Sequence, residues 1–260
     1  MISKTSIPQK LIFAIAATAL FASCGNSTNK EDMKTSIENK KEILVLFGAP
    51  GSGKGTLAQR AAKELGYTTL STGDLCRQNI EKGTDLGKTL KGYIDKGELV
   101  PDSLISDMVK VWLTEQQSSK NPIILDGYPR TKSQAETLVT LLADPNFSNL
   151  SLKVVKFAIR EEEVVDRIAN RLVCENKKCQ AVYSLKSKKP AKEGICDLCG
   201  SKLIKRTDDN EEVVKNRFKI YSATENEILN FFSEKGISIK EISATQPVDE
   251  VYESFKKIVK

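Results

Sequence analysis

The sequence predicts an α/β fold, a parallel sheet flanked by helices. Three observations carry that prediction. Short apolar runs alternate along the chain with stretches of helical spacing, the pattern of successive strand–helix units. The first such run, EILVLF, leads directly into the glycine-rich GAPGSGKGT, which leads into LAQRAAKEL with apolar residues at helical spacing. The chain closes on a further strand and helix, ISIKEI and then PVDEVYESFKKIVK, with Pro247 near the helix start. Ligands of such sheets gather at the carboxyl ends of the strands.

The elements follow in order. Residues 1–24 differ from the rest: Lys4 and Lys10 precede the uncharged apolar run LIFAIAATALFAS, which is short for a membrane-spanning helix. A charged start, a short apolar core and small residues before a cleavage point are the parts of a secretory signal. Here Ala22 and Ser23 precede Cys24, which resembles a bacterial lipoprotein signal with Cys24 as the lipidated mature N-terminus and a membrane anchor. The alternative is a true start at Met33 and a cytoplasmic protein. Residues 25–41 are polar and would serve as a flexible tether of about 20–25 Å reach. Residues 42–47 read as a buried strand. YTTLSTGD reads as a short strand ending in a polar turn, NPIILDGYPR as a strand ending at Asp126 and Gly127, and LKVVKFAI as another, followed by the helical EEEVVDRIANRL. EEVVKNRFKIYSATENEILNFFSEKG is a long helical stretch that admits one break. Between Leu172 and Arg206 the pattern fails, and that insert has no helical period.

Composition narrows the chemistry. The 260 residues are 40% hydrophobic and 28% charged, enough for a real core in one or two domains. The net charge of +6 suits phosphate-bearing partners. The chain holds no histidine, which excludes Ser-His and Cys-His catalysis and histidine metal ligands.

A loop that cradles phosphates needs inward N–H groups and no intervening side chains, which glycines allow, with a helix N-terminus behind it. The general pattern is G-x-x-x-x-G-K-[ST]. This chain supplies Gly48, Gly53 and Lys54, but Gly55 where a hydroxyl is expected, with Thr56 one place later. GAPGSGKGT with that displaced threonine resembles the phosphate loop of the adenylate kinases and their nucleoside monophosphate kinase relatives. STGDLCR (71–77), GELVPD (97–102), LDGYPRTKSQA (125–135), DRIANRL (166–172) and RTDDNEEVVKNR (206–217) resemble that family's segments in its order. The resemblance spans residues 43–260.

It implies a P-loop NTPase-type sheet with a helical AMP-binding insert at 71–100 and a long lid at 170–209. It implies ATP + AMP ⇌ 2 ADP with Mg²⁺, adenine nucleotide homeostasis with AMP salvage, and a monomer. Gly51, Ser52, Gly53, Lys54, Gly55 and Thr56 would hold the ATP phosphates, with Arg167, Arg171, Val182, Tyr183 and Gln246 on the same nucleotide. Thr72, Arg77, Glu98, Leu99, Val100, Gly127, Tyr128, Pro129, Arg130 and Gln134 would hold AMP, together with Arg206 and Arg217. Lys54, Arg130, Arg167, Arg206 and Arg217 would act on the transferring group, and Asp126 would orient Mg²⁺ and its water. Phosphoryl transfer needs alignment and charge neutralisation, and guanidinium forks suit phosphate. Asp208 and Asp209 look like a pair that contacts the lid hinge. The chain departs from the family at Asn170, Leu172 and Glu98, where glycine, arginine and lysine are frequent.

Within the insert, Cys174, Cys179, Cys196 and Cys199 give C-x4-C-x16-C-x2-C, the spacing of a structural, zinc-ribbon-like tetrahedral zinc site. Two disulfides are the alternative if the protein is exported. Six lysines fall between Lys177 and Lys192; without interleaved aromatics they read as a solvated, phosphate-attracting lid face rather than a nucleic-acid site. Cys76 reads as a packed side chain. A kinase for another base, a zinc-ribbon nucleotide-binding module and a simple ATPase remain as rivals.

Overall fold

The computed structural model describes residues 40–176 and 178–259, so the leader, Cys24 and the tether up to residue 39 lie outside the described residues. Strand β1 (Lys41–Gly48) has Ile43 to Phe47 all at 4% exposure or less, buried on both faces as a central strand must be. Its neighbours are β3 (Ile123–Asp126) and β4 (Leu150–Ala158), and β2 (Thr68–Ser71) and β8 (Ser238–Ser243) complete the order β2-β3-β1-β4-β8. Every pairing is parallel. The sheet is the parallel, helix-flanked one that the sequence predicts. Because β1 is flanked by strands that follow it on opposite sides, a crevice opens at its carboxyl end.

The period-2 alternation of β1 sorts its side chains between two cores. Ile43, Val45 and Phe47 pack with helices α4 (Asp102–Glu115), α5 (Lys132–Ala143) and the end of α7 (Glu211–Glu234). Leu44 and Leu46 pack with α1 (Lys54–Leu65) and α8 (Val248–Val259), chiefly Leu57, Ala61, Tyr252 and Phe255. Helices α2 (Thr72–Glu81) and α3 (Asp85–Ile94) form a tight pair: a Cβ on Gly87 would lie 2.2 Å from the Asn79 carbonyl oxygen.

Two expectations are corrected. The polar STGD after β2 is no turn; the chain enters α2 at once, because Ser71 caps the helix by accepting from the Asp74 N–H at 3.3 Å. The stretch after residue 210 is one unbroken 24-residue helix. Its polar middle is self-satisfied, since Thr224 Oγ1 donates to the Ile220 carbonyl at 3.1 Å.

After α6 (Glu161–Ala169) the insert forms its own antiparallel sheet, β6 (Val182–Ser184), β5 (Arg171–Cys174) and β7 (Leu203–Ile204) in the order β6-β5-β7. Among the described residues it buries six, Val173, Cys174, Ala181, Tyr183, Cys196 and Leu203, too few to hold a fold unaided.

Candidate active site

The glycine-rich loop links the end of β1 to the start of α1. Gly51 and Gly53 have φ of +76° and +97°, and a Cβ on Gly51 would sit 2.7 Å from Ile168 Cγ1. Ser52 is buried, and its N–H donates to the Ala49 carbonyl at 3.2 Å. Lys54 Nζ donates to the Gly48 and Ala49 carbonyls, both at 2.8 Å, and to Ser52 Oγ at 3.2 Å. Loss of water around this ammonium lowers its pKa to about 8; Asp126 opposes the shift, while Arg130 and Arg171 add to it.

Gly55 explains the displaced hydroxyl. A Cβ there would lie 3.2 Å from Asp126 Oδ2, closer than ordinary van der Waals contact, so a serine or threonine side chain would crowd the carboxylate at the end of β3. Gly55→Ser is expected to reduce kcat by about tenfold or more, by pushing Asp126 off its position; steady-state kinetics at saturating ATP check it. Asp126 is itself held above the usual carboxylate range by desolvation, against the pull of Lys54 and Arg130. Thr56 follows in the first turn of α1.

On the other side of the crevice the chain turns at Gly127, φ +83°, where a Cβ would meet Thr72 Oγ1 at 2.8 Å and Arg130 Nη2 at 2.9 Å. Thr72 Oγ1 donates to the Gly127 carbonyl at 2.9 Å, and Arg130 Nε does so at 2.8 Å. Gln134 Oε1 accepts from the Arg130 N–H at 2.7 Å, and Gln134 Nε2 donates to Asp102 Oδ1 at 2.8 Å. The Tyr128–Pro129 peptide bond is cis, and the buried Tyr128 hydroxyl donates to the Gln134 carbonyl at 3.0 Å. Glu98, Leu99 and Val100 run between α3 and α4, and Asn216 Nδ2 ties this connection to α7 by donating to the Lys96 carbonyl at 3.0 Å.

The arginines converge on three carboxylates. Asp208, 3% exposed, takes Arg217 Nη2 at 2.6 Å and Arg77 Nη1 at 3.6 Å. Asp74 pairs with Arg77 and reaches Arg206 Nη2 at 4.0 Å. Asp209 takes Arg171 in a two-point fork, Nε to Oδ2 at 2.8 Å. Desolvation works to raise the Asp74 and Asp208 pKa values, yet Arg77 at the first and Arg217 at the second outweigh it, and both carboxyls lie below the usual range. Arg206 is lowered to about 10 by desolvation and by Arg77 and Arg171. Desolvation and the Arg217 cation lower Arg130 too. Such crowded cations are a site built for anions.

Some residues named from sequence stand apart from this cluster. Arg167 Nη2 donates to the Ala244 carbonyl at 2.7 Å, on the β8–α8 loop that also carries the exposed Gln246. The Tyr183 ring turns into the lid, its hydroxyl accepting from the Asp197 N–H at 2.8 Å, with the half-buried Val182 beside it on β6. Sequence reading missed Asp74 and Asp102 as partners of the arginine and glutamine side chains. Part of the signal was present: Ser71 and Thr131 are helix N-caps that accept from the Asp74 and Gln134 N–H groups, which fixes where the Asp74 and Gln134 side chains start.

In the lid, the four cysteine sulfurs lie within 4.8 Å of one another, with Cys174–Cys199 at 3.4 Å and Cys179–Cys196 at 3.7 Å. Four thiolates around one tetrahedral zinc at about 2.3 Å stand roughly 3.7 Å apart. The donor set fits a closed, structural metal site.

A phosphate loop at the end of a central parallel strand, faced by arginines that carboxylates hold in place, defines a nucleotide phosphotransferase. The family model described as adenylate kinase matches residues 46–237. Adenylate kinases of Methanosarcina barkeri and Caldicellulosiruptor saccharolyticus are each 39% identical, over 84% and 83% of this chain and 98% of their own lengths. That of Archaeoglobus fulgidus is 39% identical over 83% of the chain and 97% of its own length. The chain belongs to the adenylate kinase family and is a nucleoside monophosphate kinase.

Proposed function

We propose that ATP + AMP ⇌ 2 ADP proceeds in the crevice between the 48–56 loop and the arginines of Asp74, Asp208 and Asp209, serving adenine nucleotide balance and AMP salvage. The observation that carries this reading is that the Lys54 ammonium and the Arg130 guanidinium, held by the loop on one side and the Gly127 turn on the other, both act on the Asp126 carboxylate. One set of cations suits the outer phosphates of a donor, the other the phosphate of an acceptor. Lys54 and the loop N–H groups would bind the ATP phosphates; Arg77, Arg130 and the Gly127 turn would bind AMP; Arg206, Arg217, Arg167 and Arg171 would neutralise the charge spread over the transferring group. Asp126 is the carboxylate suited to hold Mg²⁺ and its water, which enter with ATP and neutralise phosphate charge. The lid would exclude water as it closes. A coupled assay with AMP, GMP, CMP and UMP at fixed ATP tests the reading, and a strong preference for another acceptor would overturn it.

The lowered Lys54 pKa gives a pH dependence. The free protein holds this group charged below about pH 8, so kcat/KM for ATP should fall roughly tenfold per pH unit above it. The fall should be weaker in kcat, because bound phosphates favour the ammonium. A pH–rate profile from pH 6 upward, on roughly half-unit steps, reads both limbs.

Zinc is the metal we assign to Cys174, Cys179, Cys196 and Cys199, on the tetrahedral fit of four sulfurs. We further propose a monomer, lipid-anchored through Cys24 after cleavage of the leader. Intact mass of native protein from membrane and soluble fractions tests the anchor: a chain starting at acylated Cys24 supports it, a soluble chain starting at Met33 rejects it.

A further inference from the structure

The lid carries most of the chain's excess charge. Between Leu172 and Lys205 the sequence holds eight lysines against Glu175, Glu193 and Asp197, a net +5 of the chain's +6. The seven described lysines of this set are all exposed. Lys186 pairs with Asp166, and Lys188 lies 5.2 Å from the centre of the Tyr183 ring. Lys178, Lys189, Lys192, Lys202 and Lys205 take part in no ion pair among the described residues.

Folding gathers three of these at one end of the lid. Lys189 and Lys192 flank Ala191, whose N–H donates to Asp197 Oδ1 at 2.9 Å. Lys202 sits in the bridge that pairs it with Ile195. Ile195 and Asp197 border the second cysteine knuckle, whose tip is Leu198. At 72% exposure Leu198 is the most exposed large apolar side chain among the described residues. A solitary exposed leucine is ordinary; one at the tip of a knuckle, flanked by unpaired lysines, is an amphipathic tip.

We propose that this tip docks on an anionic lipid bilayer, with Leu198 entering the headgroup region and Lys189, Lys192 and Lys202 meeting lipid phosphates. Lysines are hydrated point charges, suited to a diffuse, laterally mobile surface of negative charge. No arginine lies between Leu172 and Lys205 to grip a single phosphate with a two-point fork. The lid's one aromatic ring, Tyr183, is 3% exposed and packed on Cys196, so no base could stack on it. Attraction of nucleotide would explain the lysines and leave the leucine without a role. The inference rests on neither the leader nor the assignment of the reaction.

The test uses the zinc-loaded chain from Met33 onward, which carries no leader. It contains the whole compact unit Asn39–Lys260, and the part of this chain that aligns spans 98% of a curated relative. Cosedimentation with vesicles of phosphatidylglycerol and phosphatidylcholine should show binding, weakened about tenfold or more at roughly 0.5 M salt, and none with phosphatidylcholine alone. The triple variant Lys189→Glu, Lys192→Glu, Lys202→Glu and the single variant Leu198→Ser should each lose most of that binding while keeping metal content and turnover in solution. Binding that persists in both variants, equal binding to neutral vesicles, or a preference for a single-stranded RNA over vesicles would overturn the proposal.

Discussion

Lys54→Met is expected to lower kcat by about 10³-fold while the protein stays folded. The ammonium lies between the Gly48 and Ala49 carbonyls and Ser52 Oγ, at the mouth of the helix that follows. A preorganised donor aimed at charge that develops in the transition state is worth about 10²–10³ in rate, and a full cation in a water-poor crevice is at the upper end. Methionine keeps the length and apolar stem of the side chain. The fold loses only the bonds to two carbonyls and the Ser52 hydroxyl, about 1 kcal/mol each. The KM for ATP should rise by less than about tenfold, because the loop N–H groups and the arginines still bind the phosphates. Steady-state kinetics with a circular dichroism control measure both numbers. A variant that keeps kcat within about tenfold of the parent would remove this lysine from the transition state.

Removing the zinc proposed for the lid should have the second largest effect. The six buried residues described in the lid are too few to hold β5, β6 and β7 together, so the proposed zinc cross-link through the four sulfurs is expected to do so. Cys196→Ser with Cys199→Ser, or exhaustive chelation, should lower Tm by about 10 °C and raise the KM for ATP about tenfold or more, with the parallel sheet retained. The purified parent should hold about one zinc per chain. Metal analysis, thiol titration and calorimetry report on this together. A zinc-free parent with no titratable lid thiols and an unchanged Tm would replace the metal with two disulfides.

Much of the architecture could be read from the chain because it is written in local patterns. Residues 43–47, ILVLF, are apolar at every position because β1 is buried on both faces, and GAPGSGKGT marks the turn that follows. The lid sheet was not legible: β7 is two residues long and β6 three, and neither is long enough to display a period. The candidate arginines could be found from their motifs, whereas their counter-charges could not all be. Asp208 lies nine residues from Arg217 and far along the chain from Arg77, and only the packing of α2 against the segment before α7 brings the three together. Gly55 was visible as an anomaly, but its cause, Asp126 Oδ2 on a strand some seventy residues later, required the fold.

The packing of β1 bears on how this chain is made. Leu44 and Leu46, near the start of the domain, share a core with Tyr252 and Phe255 in its last dozen residues, and β8 hydrogen-bonds to β4 as the outermost strand. No nascent fragment that lacks the C-terminal helix can bury the face of β1 that Leu44 and Leu46 occupy. The glycine-rich loop, though synthesised early, therefore rests on a half-covered sheet until the C-terminal helix has been made and has packed. Contacts of such long sequence separation close slowly. A truncated product would expose a continuous apolar strip beside parallel strands, the kind of surface that chaperones bind and proteases clear.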